Sequence, residues 1–298
     1  VKVVIAGVSG SLGTHLAKHL ISEGHKVTGI SRTNPEISGL EFIAHDLTKP
    51  LELEHLDDAV VINSAAITKD GFSSEVLEIN LAIARNCLSI SNGPQILVSS
   101  SSVYDLRKPS IGVTTQEATG NYPFLNSYSK SKFESEQIYG ATDRTIILRP
   151  HALIGPSDQT LLPRVRKAIR NGVLRLPNAG AALHEFTSFT NFAQAIDLSL
   201  KKFDAGWSGN ITLNVSDGKS TSIKEAITRS LLPEEVEISS ISTAVAMVAA
   251  RLSEGLAGVN SEPRLSRYAV AQLAYDRTYD LGPTRAFLGY DPSANCAF

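Results

Sequence analysis

Lys2-Val-Val-Ile-Ala-Gly7-Val-Ser-Gly10-Ser-Leu-Gly13-Thr14 is the stretch on which the reading of the fold turns. Lys2–Ala6 is a short apolar run, suited to a parallel strand covered on both faces. A helical pattern runs from Thr14 to Glu23, and Gly24 stops it as a C-terminal cap would. Glycines at the turn between such a strand and helix let the backbone bend tightly and approach a pyrophosphate, and the helix N-terminus favours the anion. The rival reading is a tight turn kept for packing alone. Placement at the first strand–helix turn favours the phosphate loop. Gly7, Gly10, Ser11, Leu12 and Gly13 are therefore candidate dinucleotide contacts.

Working outward, Lys26–Ile30, Leu40–Ala44, Ala59–Asn63, Gln95–Ser99 and Thr145–Leu148 read as further strands, and Ser73–Ser91 and Ser127–Tyr139 as helices. The alternation implies an α/β fold with a doubly wound parallel Rossmann sheet. After Pro150 the alternation fades. Leu161–Asn171 and Phe192–Lys202 have helical spacing, Asn210–Val215 reads as a strand, and Ser222-Ile-Lys-Glu225 is a capping box. Residues 1–150 are expected to form the dinucleotide-binding domain. Residues 151–298 are expected to be mainly a smaller, interwoven C-terminal substrate lobe, with segments around 186–215 returning to the first domain.

The 298-residue chain is 42% hydrophobic and 19% charged, with a formal net charge of −2. That is ordinary for a globular protein and offers no field to draw in nucleic acid. Cys87 and Cys296 stand far apart in no paired motif, which fits a reduced compartment without a disulfide framework. A cytoplasmic location is expected, with no membrane span: Arg251 and Glu254 interrupt the apolar stretch Ile241–Val259, which reads as an amphipathic helix. His15 and His19 have a metal-capable spacing but no third ligand, so no metal site is expected.

The end of the second strand bears on cofactor choice. An acidic residue there would bind the ribose 2′-hydroxyl of NAD. This chain has Ser31-Arg32 instead, and Arg32 can pair with a 2′-phosphate. NADP is favoured; the alternative is a solvated Arg32 and NAD. Tyr128 and Lys132, four apart on a helix, share one face. An ammonium beside a phenol is expected to lower the phenol's pKa and let it exchange protons near neutrality. Alone, this pair is common by chance. Its company is Leu97-Val-Ser-Ser100, whose hydroxyls sit at a strand's C-terminal end, where open α/β sheets bind ligands. Ser100 is the candidate to hold the reacting oxygen. The basic stretch Arg164, Arg166, Lys167 and Arg170 reads as a solvated helix face.

Taken in order, these motifs resemble the extended short-chain dehydrogenase/reductases, the NAD-dependent epimerase/dehydratase family. The likeness includes Gly7-x-x-Gly10-x-x-Gly13, Asp46-Leu47, Asn63-Ser-Ala65-Ala66, Asn80, Ser99-Ser100-x-x-Val103-Tyr104, Tyr128-x-x-x-Lys132 and Arg149-Pro150 through Gly155-Pro156. The resemblance implies Ser100, Tyr128 and Lys132 as catalytic residues. It implies Asp46, Leu47, Ala65, Ala66 and Pro150 as cofactor contacts beside the glycine loop, with His151 near the nicotinamide or simply a satisfied loop histidine. Nucleotide-sugar members usually carry asparagine where this chain has Ala152, and Arg-Asp-Phe where it has His184-Glu185-Phe186. Arg149-Pro-His151, Leu161-Leu-Pro163, Phe186-Thr-Ser-Phe-Thr-Asn191, Pro263–Val270 and Ala286–Pro292 are similar to the 3β-hydroxysteroid dehydrogenase branch. The resemblance therefore implies an oxidoreductase acting on an apolar, sterol-like or lipid-like hydroxy or keto compound, with a homodimer usual for the family. The rivals are a nucleotide-sugar epimerase or dehydratase with tightly held NAD, and a non-catalytic dinucleotide-binding redox sensor. An apolar pocket wall from the Ile241–Val259 helix would suit the apolar substrate.

Overall fold

The computed structural model describes residues 1–51, 56, 58–155, 161–231, 236–257 and 261–292. Pro156, Val259 and Cys296, which figure in the sequence reading, lie outside the described residues. In chain order the first half comprises β1 (Lys2–Ala6), α1 (Ser11–Ser22), β2 (Lys26–Ser31), β3 (Glu41–Ala44), β4 (Val60–Asn63), α2 (Ser74–Leu88), β5 (Gln95–Val98), β6 (Ser110–Val113), α3 (Ser127–Gly140) and β7 (Thr145–Pro150). There follow β8 (Leu153–Ile154), α4 (Leu161–Ala168), β9 (Val173–Pro177), β10 (Leu183–Glu185), β11 (Thr187–Ser188), α5 (Phe189–Asp204) and β12 (Asn210–Val215). The last described elements are β13 (Ser220–Ser222), α6 (Ile223–Leu231), β14 (Glu237–Ile241), α7 (Thr243–Leu256), α8 (Arg267–Ala274), β15 (Arg277–Tyr279) and α9 (Gly282–Leu288).

Seven parallel strands make the central sheet, in the order β12-β7-β5-β4-β1-β2-β3. This is the doubly wound α/β fold expected from the sequence. The winding reverses between β1 and β4, and at such a point a crevice opens beyond the strands' C-terminal ends. The inner strands are apolar along their length because both faces are covered. Val3, Ile5, Leu16, Leu20, Phe192 and Ile196 join β1, α1 and α5 on one side. On the other, Val4, Ala6, Val61, Ile83 and Cys87 pack α2 against the sheet, and Leu97, Ile147, Ala84 and Tyr139 bring in α3. Three of these helices start on side-chain caps that accept free N–H groups: Ser73 from Val76, Asn126 from Ser129 and Ser188 from Asn191.

A second, mixed sheet runs β13-β10-β15-β6, with two short parallel pairs, β11-β8 and β14-β9, beside it. Its strands are too short for any periodicity to announce them. The buried Arg277 ties this region together. Its guanidinium donates to the carbonyls of Lys108 at 2.6 Å, Leu106 at 2.8 Å and Ala271 at 2.9 Å, and to Ser110 Oγ at 3.1 Å.

The helix expected over Ile241–Val259 is α7. Only its alanines Ala246 and Ala250 are buried, while Val245, Val248, Leu252 and Leu256 face outward. Met247 joins the inward side, packing against Val270 and Ala271 of α8. No helix among the described residues is long and apolar enough to cross a membrane. His19 pairs with Asp197 and His15 lies against the Phe189 ring, and no metal-capable cluster occurs among the described residues.

Phe192 is fully buried between α5 and the sheet. Phe192→Ala should lower the unfolding free energy by about 3–5 kcal/mol, read from urea denaturation. A loss below about 1 kcal/mol would mean that this side of the sheet is not the packed core described.

Candidate active site

The turn from β1 into α1 is built by backbone packed on backbone. Gly7 has φ +85°, and a Cβ there would lie 2.8 Å from Ala65 Cα. A Cβ on Gly13 would lie 2.2 Å from the Gly7 carbonyl oxygen. Gly7 N–H donates to Ile30 O at 2.8 Å, and Gly10 N–H to Gly7 O at 3.1 Å. Helix α1 begins at Ser11 with no side-chain cap, so its first-turn N–H groups, with those of Leu12 and Gly13, remain for a ligand. A bare helix N-terminus over a side-chain-free cradle fits the pyrophosphate of a dinucleotide.

The other predicted residues lie along the same edge of the sheet. Ser31 ends β2, buried, its hydroxyl donating to Thr33 O at 2.8 Å, and the exposed Arg32 follows. Asp46 follows β3, where Thr48 N–H and Oγ1–H hold its carboxyl below the usual range, with Lys49 and Arg32 adding to the effect. Leu47 turns into the core, and its carbonyl accepts from Asn86 Nδ2 at 2.9 Å. Ala65 and Ala66 follow β4, and the Ala65 N–H is held by Asn63 Oδ1 at 3.2 Å. Pro150 ends β7, buried, in register with Val215 of β12.

Ser100 follows β5, its hydroxyl accepting from Ser102 N–H at 3.1 Å and meeting the Tyr128 phenol. Lys132, one turn along α3, is buried; its Nζ donates to Val98 O at 2.7 Å and lies 6.0 Å from the centre of the Tyr128 ring. Ser100, Tyr128 and Lys132 are thus brought together. The expected electrostatics are not. Burial, then Tyr268, pushes the Tyr128 phenol well up, outweighing Ser100 and Arg164. Burial also pushes the Lys132 ammonium down, to about 8, against the pull of Glu136 and Cys87. The phenol is held neutral, as a proton donor.

Two participants escaped the sequence reading. Glu136, four residues beyond Lys132 on the same helix face, accepts from Ser99 Oγ and takes a bidentate fork from Arg149, with Nε at 2.8 Å and Nη2 at 2.6 Å. Arg149 Nη1 continues to Thr115 O at 2.8 Å and Tyr104 Oη at 3.1 Å. The Tyr128–Lys132–Glu136 spacing was the available signal. Arg164 is exposed, as its reading as a solvated face expected, and its charge also favours ionisation of the Tyr128 and Tyr268 phenols.

His151 is a satisfied loop histidine. Its Nδ1 faces Ser101 Oγ at 2.8 Å and Tyr279 Oη at 3.0 Å, and its Nε2 faces His184 Nδ1 at 2.8 Å. Burial holds both rings neutral, His184 down to about 3. Glu185 accepts from Ser216 Oγ at 3.0 Å and Tyr279 N–H at 3.2 Å, with burial raising its carboxyl. Ala152 packs into an apolar cluster with Ile154 and Phe186.

Fold and site together define a dinucleotide-dependent oxidoreductase of the doubly wound type. The chain belongs to the NAD dependent epimerase/dehydratase family, whose model matches residues 3–216. A curated relative, the 2-alkyl-3-oxoalkanoate reductase of Stenotrophomonas maltophilia, is 28% identical over 99% of this chain and 96% of its own length. The sterol-4-alpha-carboxylate 3-dehydrogenase, decarboxylating, of Homo sapiens is 26% identical over 64% of this chain and 55% of its own. It bears out the likeness to the 3β-hydroxysteroid dehydrogenase branch. Among solved structures, MoeE5 in complex with UDP-glucose and NAD matches with a TM-score of 0.70 at 19% identity, covering 100% of this chain and 95% of MoeE5.

The depressed Lys132 sets a pH signature. Its folded value of about 8 lies below the ordinary lysine value of 10.5. Between the two the unfolded chain holds the extra proton, so this group's contribution to stability rises with pH across that window and is flat below it. Relative to Lys132→Met, the wild type should gain about 2–3 kcal/mol between pH 7.5 and 10.5 in urea denaturation. Parallel pH curves would show that Lys132 is not desolvated.

Proposed function

We propose that the chain is an NADP-preferring reductase or dehydrogenase working at a secondary alcohol or ketone of an apolar substrate, with Tyr128 as general acid/base. The observation that carries this is the Ser100–Tyr128 hydroxyl pair at the end of β5, with Lys132 buried beside it. A nicotinamide bound at this edge supplies or accepts a hydride at its C4. The neutral Tyr128 phenol gives its proton to the ketone oxygen as the carbon is reduced, and takes it back in the alcohol's oxidation. Ser100 holds that oxygen. Lys132 grips the nicotinamide ribose and stabilises the transient phenolate.

Gly7, Gly10, Ser11, Leu12 and Gly13 hold the pyrophosphate. Ser31 and Arg32 take the 2′-phosphate, Asp46 and Leu47 border the adenine, and Ala65, Ala66 and Pro150 close over the rest. Residues 1–150, with the segment that supplies α5 and β12, form the dinucleotide unit. The remainder forms the substrate lobe, and the working unit is a homodimer. The relatives support an apolar substrate. Both names also place a carboxylate one carbon from the reacting carbon: on C2, beside C3, in the oxoalkanoate, and on C4, beside C3, in the sterol. A nucleotide sugar suits the site less well, since Ala152 is apolar-packed and His184 is tied to His151 where diphosphate ligands would stand.

Thermal shifts with NAD+, NADH, NADP+ and NADPH test the cofactor. NADPH should stabilise most, and Arg32→Ala should erase its advantage, about ten-fold or more in Kd. Equal shifts from NADH and NADPH in the wild type would sink the preference. Tyr128→Phe should cut kcat by about 10²–10⁴-fold with the dinucleotide Kd unchanged. Undiminished turnover would remove Tyr128 from the chemistry.

A further inference from the structure

A helix on the outside of a protein ordinarily turns its polar residues to water. The outer face of α7 does the reverse. Val245, Val248, Leu252 and Leu256 are 57%, 61%, 65% and 88% exposed. Their spacing of three and four residues sets them in one strip along the helix. The remaining exposed positions of α7 are alanine, glycine and a single arginine, Arg251. The opposite side is already used, since Ala246, Met247 and Ala250 pack inward with Val270. A contiguous apolar strip of this kind marks a surface that meets something other than water.

The charges beside the strip have one sign left over. The segment after α7 is tied back to its last turn: Leu265 N–H donates to Ser253 Oγ at 3.1 Å, and Arg267 N–H to Glu254 Oε1 at 2.7 Å. Arg264 is thereby held beside the end of the strip. Glu254 is engaged by Arg267, whose Nε lies 2.7 Å away, and Glu262 by Arg164 Nη2 at 3.1 Å. Arg251 and Arg264, both exposed, have no carboxylate partner among the described residues.

We propose that the outer face of α7 docks on an anionic phospholipid bilayer. The helix lies in the plane of the surface. Leu252 and Leu256 enter the boundary between headgroups and acyl chains, and Arg251 and Arg264 reach lipid phosphates at its rim. The 14 residues of α7 make a ridge about 21 Å long and one helix wide. That is narrow for a stable protein pair, in which each partner buries about 800 Å². A bilayer needs no matching groove and accepts a single ridge. A second copy on this face would also set Arg251 and Arg264 against like charges, whereas anionic lipid answers both. The docking does not rest on the reductase reading. Taken with it, docking brings the substrate lobe to the phase into which an apolar ketone partitions.

Co-sedimentation with vesicles tests this. The wild type should bind vesicles of mixed phosphatidylcholine and phosphatidylglycerol about ten-fold or more tightly than phosphatidylcholine alone, and added salt should weaken the binding. Leu252→Ser with Leu256→Ser changes only exposed side chains. It should keep the wild-type melting temperature and lose about ten-fold or more in vesicle affinity. Arg251→Gln should lose about five-fold. The emission of Leu252→Trp should move to the blue on the mixed vesicles. Undiminished binding by the double serine variant, or an unmoved Leu252→Trp emission in the bound protein, overturns α7 as the docking face. No binding to mixed vesicles overturns the bilayer as its occupant, and a dimer in sedimentation equilibrium that the serine variant splits would then assign the face to a second copy. Each of these outcomes leaves the reductase reading standing, because none measures turnover or cofactor binding.

Discussion

The site depends on one steric fact: at the first turn, backbone must lie on backbone. Gly13 faces the Gly7 carbonyl with no room for a side chain between them, and Gly7 faces Ala65 in the same way. Those two approaches seat the end of α1 over the gap between β1 and β4. Because the strands are parallel, each strand's C-terminal end then opens onto the same edge. Ser31, Asp46, Ala65, Ser100 and Pro150, spread along the chain, line that one edge for that reason alone.

Around this frame the protein buries several charges and disposes of each differently. Glu136 and Arg149 are both nearly inaccessible, and each satisfies the other through a two-pronged fork. A buried pair of this kind gains little net stability but is costly to break. It fixes α3 to β5 and β7, the three elements that position Tyr128, Lys132 and Ser100. Arg277 has backbone carbonyls in place of a carboxylate and serves as a knot for the second sheet. Lys132 is left with a single carbonyl, and its ammonium is correspondingly easy to discharge. Tyr128 beside it stays protonated, a state suited to giving a proton away.

The central sheet was legible because its inner strands are covered on both faces. Such strands show as apolar runs that need no partner to be recognised. β1, β2, β4, β5 and β7 fall within a residue or two of their expected places, and β12 matches its expected bounds. The second sheet was not legible. β10, β13 and β15 are three-residue strands that exist only because distant segments pair with them. α7 misled for a related reason: apolar content predicts burial, but only the side carrying Ala246, Met247 and Ala250 packs inward.

The sequence alone determined the doubly wound fold, the glycine turn after β1 and the pairing of Tyr128 and Lys132 on one helix face. Each is local: a run, a glycine spacing, or two side chains one helical turn apart. Only the tertiary structure decided the charge states and the neighbours. Tyr128 stays neutral because burial, then Tyr268, outweigh Ser100 and Arg164. His151 faces inward because His184 meets it from another sheet. Arg164 is held against the loop after β4 by the Thr68 carbonyl. Ionisation and partnership depend on the dielectric and the charges that surround a group. Those surroundings come from segments far apart in the chain, which spacing along the sequence does not encode.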